Sequence, residues 1–344
     1  MIDKHDALFH LLRPALTGSA PEAGAFVGAT ANEWEHLFRL LRQNHTAALA
    51  SETVAALPEQ EKPPRSVLIP WLSERQKATI RFNYRTQVQQ EIIDLMHSHG
   101  IDTLVLKGQH LAQYYPKPEL REFCDLDLYF YDRHGEADRL AREQLHVEVS
   151  NDSHHHSKYN YRDVTVESHY DFINRHTPPS NKQYEELLKS EAPSITFEVL
   201  FLLRHMAGHF ASSRITLRDL CDWHVLAAQP GIDWEKVQKA VCTSGMELFV
   251  GAVSRIVSTR FGSRIPVAFD CSDSLVRRVE ADTIYGNITE HPSEDWSRLW
   301  WKVKRYRANR WKHPMTYRND PSLRLLASSL SAHAMKPHSI LHKM

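Results

Sequence analysis

Asp125-Leu126-Asp127-Leu128-Tyr129-Phe130 alternates acidic with apolar residues, the period of a strand with one face in a core. Successive strand side chains point to opposite faces, so Asp125 and Asp127 share one face while Leu126 and Leu128 enter the core on the other. Two carboxylates side by side repel and raise each other's affinity for protons, a cost that a cation between them removes. A divalent metal is the economical answer. A third carboxylate, Glu167, stands in Val164-Thr165-Val166-Glu167-Ser168-His169, and pairing of the two strands brings it beside the aspartates. Three carboxylates suit Mg2+ or Mn2+ rather than a soft metal.

Upstream, Leu104-Val105-Leu106-Lys107-Gly108-Gln109 reads as a strand entering a helix through a glycine, where backbone N–H groups and the helix dipole hold phosphate. Lys107 adds a point charge there. Strands are expected at 103–106, 125–131, 146–150 and 159–172, the last with a turn near Arg162-Asp163. Helices at 108–115 and 135–145 separate them, so the order predicts a small mixed sheet with helices on one face.

On either side the period becomes helical. Before residue 100, Trp34, Leu37, Phe38 and Leu41 mark one helix, and Ile80, Tyr84, Val88, Ile92, Leu95 and Met96 a second. Pro63-Pro64 separates them, Ser73 is placed to cap the second, and Gly100 stops it. After residue 181, helical runs cover 194–209, 217–228, 233–243 and 246–261. The expected class is therefore α+β: a helical lobe at 1–100, an α/β core at 101–180 and a second helical lobe at 181–344.

Composition is that of an ordinary globular chain, with 42% apolar and 24% charged residues over 344 positions. Lys plus Arg and Asp plus Glu both number 42, so no global field draws the protein to nucleic acid or an acidic membrane. Four cysteines with no Cys-x-x-Cys spacing suggest neither a zinc ribbon nor a disulfide framework. No apolar run reaches the roughly 18 residues of a membrane span, and the charged start lacks a signal-peptide core, so a cytoplasmic location is expected.

A same-face aspartate pair taken alone is more often a solvated strand edge, and a lone Lys-Gly means little. The ordered set is more specific: Lys107-Gly108, then Arg121, then Asp125-Leu126-Asp127-Leu128, then Glu167-Ser168-His169. That set resembles the nucleotidyltransferase superfamily of DNA polymerase β type, and most closely its bacterial branch of uncharacterised nucleotidyltransferase family proteins. The likeness extends over residues 30 to 320, including the stretch 205–222 and Asp233-Trp234 at a helix start. The resemblance implies a metal-dependent nucleotidyltransferase core. Asp125 and Asp127 would bind two Mg2+ or Mn2+ ions and Glu167 would complete the catalytic one, with Glu167 also a candidate base. Lys107, Gly108, Gln109, Arg121, His169 and His205 would hold the nucleotide or its phosphates. The co-substrate would be a nucleoside triphosphate, most simply ATP, and the second partner a hydroxyl on a small molecule, peptide or protein. One position departs from the wider superfamily, whose usual Gly-Ser or Gly-Gly leaves room for the triphosphate where this chain has Gly108-Gln109. That feature points to a rival reading, a catalytically silent nucleotide-binding or regulatory protein of the same fold.

Other features carry less. His154-His155-His156 and the pair His205, His209 have zinc-like spacing, but a chain with 22 histidines shows such spacings by composition and has no His-Glu-x-x-His. His209 is read as a surface or packing residue. Arg218, Asp219 and Asp222 either reach the site or simply cap a helix. The stretch 298–318 holds eight Lys or Arg and no Asp or Glu, interleaved with Trp300, Trp301, Tyr306, Trp311 and Tyr317. It is read first as a helix packing its Trp residues inward, and second as a surface for RNA, which would make the chain an RNA-binding factor. No Gly-x-Gly-x-x-Gly, Walker or Gly-x-Ser-x-Gly motif is present, leaving dinucleotide, P-loop and nucleophile-elbow chemistries without support.

Overall fold

The computed structural model describes residues 4–151, 155–174, 178–191, 193–286 and 304–320. The four strands are β1 (Leu104–Leu106), β2 (Asp125–Tyr129), β3 (His156–Tyr161) and β4 (Val164–His169), in the spatial order β1-β2-β4-β3. β2 runs antiparallel to β1 and parallel to β4, while β3 and β4 form an antiparallel hairpin. Its turn residues Arg162 and Asp163 lie at φ 48° and 58°, the left-handed pair that a two-residue hairpin loop demands. The chain is thus α+β with a small mixed sheet, as expected.

Helices α1 (Lys4–Thr17), α2 (Ala31–Gln43), α3 (Ala47–Ala56) and α4 (Arg65–Ser98) precede the sheet, and α5 (Gly108–Ala112) and α6 (His134–Gln144) connect its strands. Then follow α7 (Asn181–Ser190), α8 (Ile195–Ser212), α9 (Leu217–Ala227), α10 (Trp234–Ser244) and α11 (Glu247–Phe261). α12 (Asp273–Tyr285) and α13 (His313–Thr316) come after them. Among the described residues no helix is long and apolar enough to cross a membrane.

Alternation decides which sheet face is buried. Leu126, Leu128 and Val166 pack with Val88, Ile92 and Met96 of α4 and Ala137, Leu140 and Ala141 of α6. The opposite, acidic face looks across a cavity toward α8, so helices stand on both sides rather than one. Residues 146–150 do not form the expected strand. His146 adopts φ 54°, only Ser150 bridges to Lys158, and Val147 and Val149 pack on the apolar cluster without a ladder. The hairpin strand begins at His156 instead. α4 starts directly after Pro64 rather than at Ser73 and runs 34 residues, with Ile80 and Tyr84 exposed and Val88, Ile92 and Met96 buried.

A second cluster joins residues from Ala7 to Met315 into one core. Phe9 of α1 meets Phe261 of α11 edge-on at 5.6 Å. Buried Asn44 ties the end of α2 to the far part of the chain, donating to Ile284 O at 3.2 Å and accepting from Leu217 N at 3.2 Å. In the basic and aromatic stretch, Trp311 packs edge-on against Phe210 at 5.5 Å and Lys312 is buried against Asp282 at 2.6 Å. Trp300 and Trp301 lie outside the described residues.

The buried Glu280 carboxylate accepts from Arg260 Nε at 2.6 Å and pairs with His5 at 2.9 Å. Burial alone would raise its pKa, but His5 and Arg260 outweigh burial and hold it below the usual value. A depressed folded-state pKa contributes stability that is full above the unfolded value, about 4.3, and is lost as pH falls through the folded one. Glu280→Gln should therefore lower stability at neutral pH by about 1–3 kcal/mol in urea titrations. The variant should also lose less stability than the parent on acidification below about pH 4.3.

Candidate active site

A cavity of about 870 Å³ opens between the acidic face of the sheet and helices α8 and α9. Strand register builds its floor: Leu106 of β1 pairs with Asp127 of β2, which pairs with Glu167 of β4. Asp125 and Asp127 share the cavity face as their spacing requires, and Glu167 stands beside Asp127. Lys107 occupies the corner between β1 and α5 at φ 48°, a strained conformation for a non-glycine residue that aims its side chain back over the sheet. Its Nζ lies 3.0 Å from Asp127 Oδ1 and 5.9 Å from the centre of the Phe201 ring of α8.

Asp127 is 4% exposed, and its Oδ1 also meets His169 Nε2 at 2.9 Å. A carboxylate only accepts, so His169 donates from Nε2. Burial alone would raise the Asp127 pKa, yet the Lys107 ammonium and the His169 bond hold it well below the carboxylate range. Glu167 shifts the other way, raised by burial first and then by Asp127 and Asp125. One carboxylate is kept charged while its neighbour seeks a proton or a cation. Asp127, Glu167 and His169 each offer a donor atom, all within 4.8 Å of one another. This tight group contains His169 in place of Asp125, which stands on the same face just outside it. Two carboxylates and an adjacent aspartate fit a divalent cation, with His169 orienting Asp127 through its Nε2–H.

The remaining expected positions divide. Gly108 lines the cavity, close to Asp125 O and the Phe123 ring. Gln109 does not line it; its amide donates to Thr86 Oγ1 of α4 at 2.6 Å, so its bulk lies on the opposite side from the cavity. Arg121 is in the wall but committed: Nε and Nη2 form a fork on Asp222 at 3.0 and 2.7 Å, and Tyr115 donates to the same carboxylate at 2.6 Å. His205 lines the cavity and is kept neutral, by burial first and then by Lys107.

Further residues line the cavity. His209, read as a surface or packing residue, is exposed at the surface and also lines the cavity, with its ring 4.3 Å from that of His205. Arg218, Asp219 and Asp222 all reach it, although Asp219 also caps α9 by accepting from Thr216 N at 2.7 Å. His45, His155, His156, Arg204 and Tyr317 join them. The histidine run was a visible signal for two of these. Nothing local marks Arg204 or Tyr317, which come together only because α13 returns to α8. Burial, then His169 and Lys107, push the His156 pKa down to about 4.

A family model described as an uncharacterised nucleotidyltransferase matches residues 30–262. The chain belongs to that family. The matched span includes the carboxylates and Lys107 of the cavity floor. No curated protein and no solved structure matches this nucleotidyltransferase.

The Arg121–Asp222 pair anchors one wall of the nucleotidyltransferase cavity, with side chains 5% and 2% exposed. Removing one partner of such a pair leaves a buried charge uncompensated. Asp222→Ala should therefore lower unfolding stability by about 3–5 kcal/mol in chemical denaturation. Arg121→Met/Asp222→Leu, which removes both charges, should recover most of that loss.

Proposed function

We propose that this nucleotidyltransferase moves a nucleoside monophosphate, most simply AMP from ATP, to a hydroxyl of a small molecule, peptide or protein, releasing pyrophosphate. The observation that carries the reading is the pairing of Asp127 with Glu167 across β2 and β4, directly beside the Lys107-Gly108 corner. Chemistry is assigned to residues 101–180, with α8 and α9 as the facing wall.

Asp125, Asp127 and Glu167 would hold Mg2+ or Mn2+, with His169 fixing the Asp127 carboxylate. When bound, the cation neutralises triphosphate charge and makes the acceptor hydroxyl more acidic. Lys107, 3.0 Å from Asp127, and the Gly108 amide would face the triphosphate and supply donors to its phosphate oxygens. The acceptor oxygen attacks the α-phosphorus, the bond to the β-phosphate oxygen breaks, and pyrophosphate leaves. Glu167, beside Asp127 on the cavity floor, would be the base that takes the hydroxyl proton. His205, neutral and on the facing helix, lines the nucleotide or acceptor pocket. The four unpaired cysteines accord with a reducing, cytoplasmic setting.

Calorimetric titration with ATP, GTP, CTP and UTP, with and without Mg2+, tests the reading. At least one triphosphate should bind in a metal-dependent manner, and Asp125→Ala/Asp127→Ala should abolish that part. Binding of none to the folded parent chain would remove the reading's main support and favour a silent member of the family. Because Gln109 faces Thr86, Gln109→Ser should change triphosphate affinity by about threefold or less. A large gain would mean that the glutamine obstructs the phosphates.

A further inference from the structure

We propose that His155, His156 and His169 form a metal site of their own, for a borderline divalent cation of the Zn2+ class, in the cavity wall beside the carboxylates. One nitrogen from each ring lies within 4.8 Å of the other two. The hairpin makes this arrangement: His156 and His169 are direct cross-strand partners, and Tyr170 N donates to His155 O at 2.8 Å to hold the preceding residue alongside. The ring centres are 4.4 Å apart for His155 and His156, 5.4 Å for His156 and His169, and 5.8 Å for His155 and His169. All three line the cavity, from which a ligand could reach the cluster.

A second observation comes from His169 itself. It is 2% exposed, its Nε2 is engaged by Asp127, and its Nδ1 is buried with no hydrogen-bond partner. A buried ring nitrogen without a partner costs free energy that a bound cation would recover. A carboxylate bonded to the far nitrogen of a ligating histidine fixes its tautomer and raises its basicity, which is the relation of Asp127 to His169. Three imidazoles with one open position favour Zn2+ or Co2+ over Mg2+, whereas the carboxylates alone favour Mg2+ or Mn2+. The site stands on this geometry and does not require the nucleotidyl-transfer reading to be correct.

The test uses the full chain, treated with chelator and titrated with Co2+ or Zn2+ in the presence of excess Mg2+ to saturate oxygen-only sites. Co2+ should give the intense visible bands of a low-coordinate, nitrogen-ligated ion, and Zn2+ should displace it. His155→Ala and His156→Ala should each weaken binding by roughly ten- to a hundredfold or more while the circular dichroism spectrum stays that of the parent. The His205→Ala/His209→Ala variant should bind as the parent does. Weak octahedral Co2+ bands, affinity unchanged by both hairpin variants, or binding lost instead with the α8 pair would each overturn the proposal. Triphosphate binding measured separately with Mg2+ distinguishes failure of this site from failure of the transferase reading.

Discussion

The Asp127 carboxylate is the point on which the cavity turns. It is nearly sealed from water, and a lone buried charge would cost more than the fold can sustain. Lys107 and His169 make it tolerable by converging on one oxygen from β1 and β4. Those contacts depend on register: a slip of one residue in β2 would turn both aspartates into the apolar cluster and expose Leu126 and Leu128. The strained backbone at Lys107 follows from the same need, since the chain must turn from strand to helix while its ammonium remains over the sheet.

Helices from both ends of the chain brace this floor. Asn44 and Arg121 each tie segments far apart in sequence, the first α2 to α9 and α12, the second the loop before β2 to α9. Their partners are buried polar groups, which discriminate between correct and incorrect packing more sharply than apolar contacts do. The cavity's far wall is therefore fixed by long-range polar bonds, and the near wall by a sheet register. Histidines from β3, β4 and α8 gather several ring nitrogens in that space beside an acidic floor.

The floor was legible because strand alternation is local: the faces taken by Asp125, Asp127 and Glu167, and the turn at Arg162-Asp163, follow from period and turn chemistry alone. The strand expected at 146–150 failed because Val147 and Val149 alternate for packing without a ladder partner, a distinction that periodicity does not make. Gln109 looked like an obstruction in the sequence, but its direction is set by Thr86 on α4, two elements away. Arg121 looked like a phosphate ligand, and its fork on Asp222 required a partner from α9. The imidazole cluster needed His169 opposite His156, a pairing invisible until the hairpin's start is known.

The most direct measurement is a crystal of the full chain grown with Mn2+ and a non-hydrolysable ATP analogue, read by anomalous diffraction. A Mn2+ peak within bonding distance of Asp127 and Glu167, with the triphosphate running toward Lys107 and Gly108, is the predicted result. A nucleotide seated elsewhere, with Lys107 still on Asp127 and no metal between the carboxylates, would contradict it.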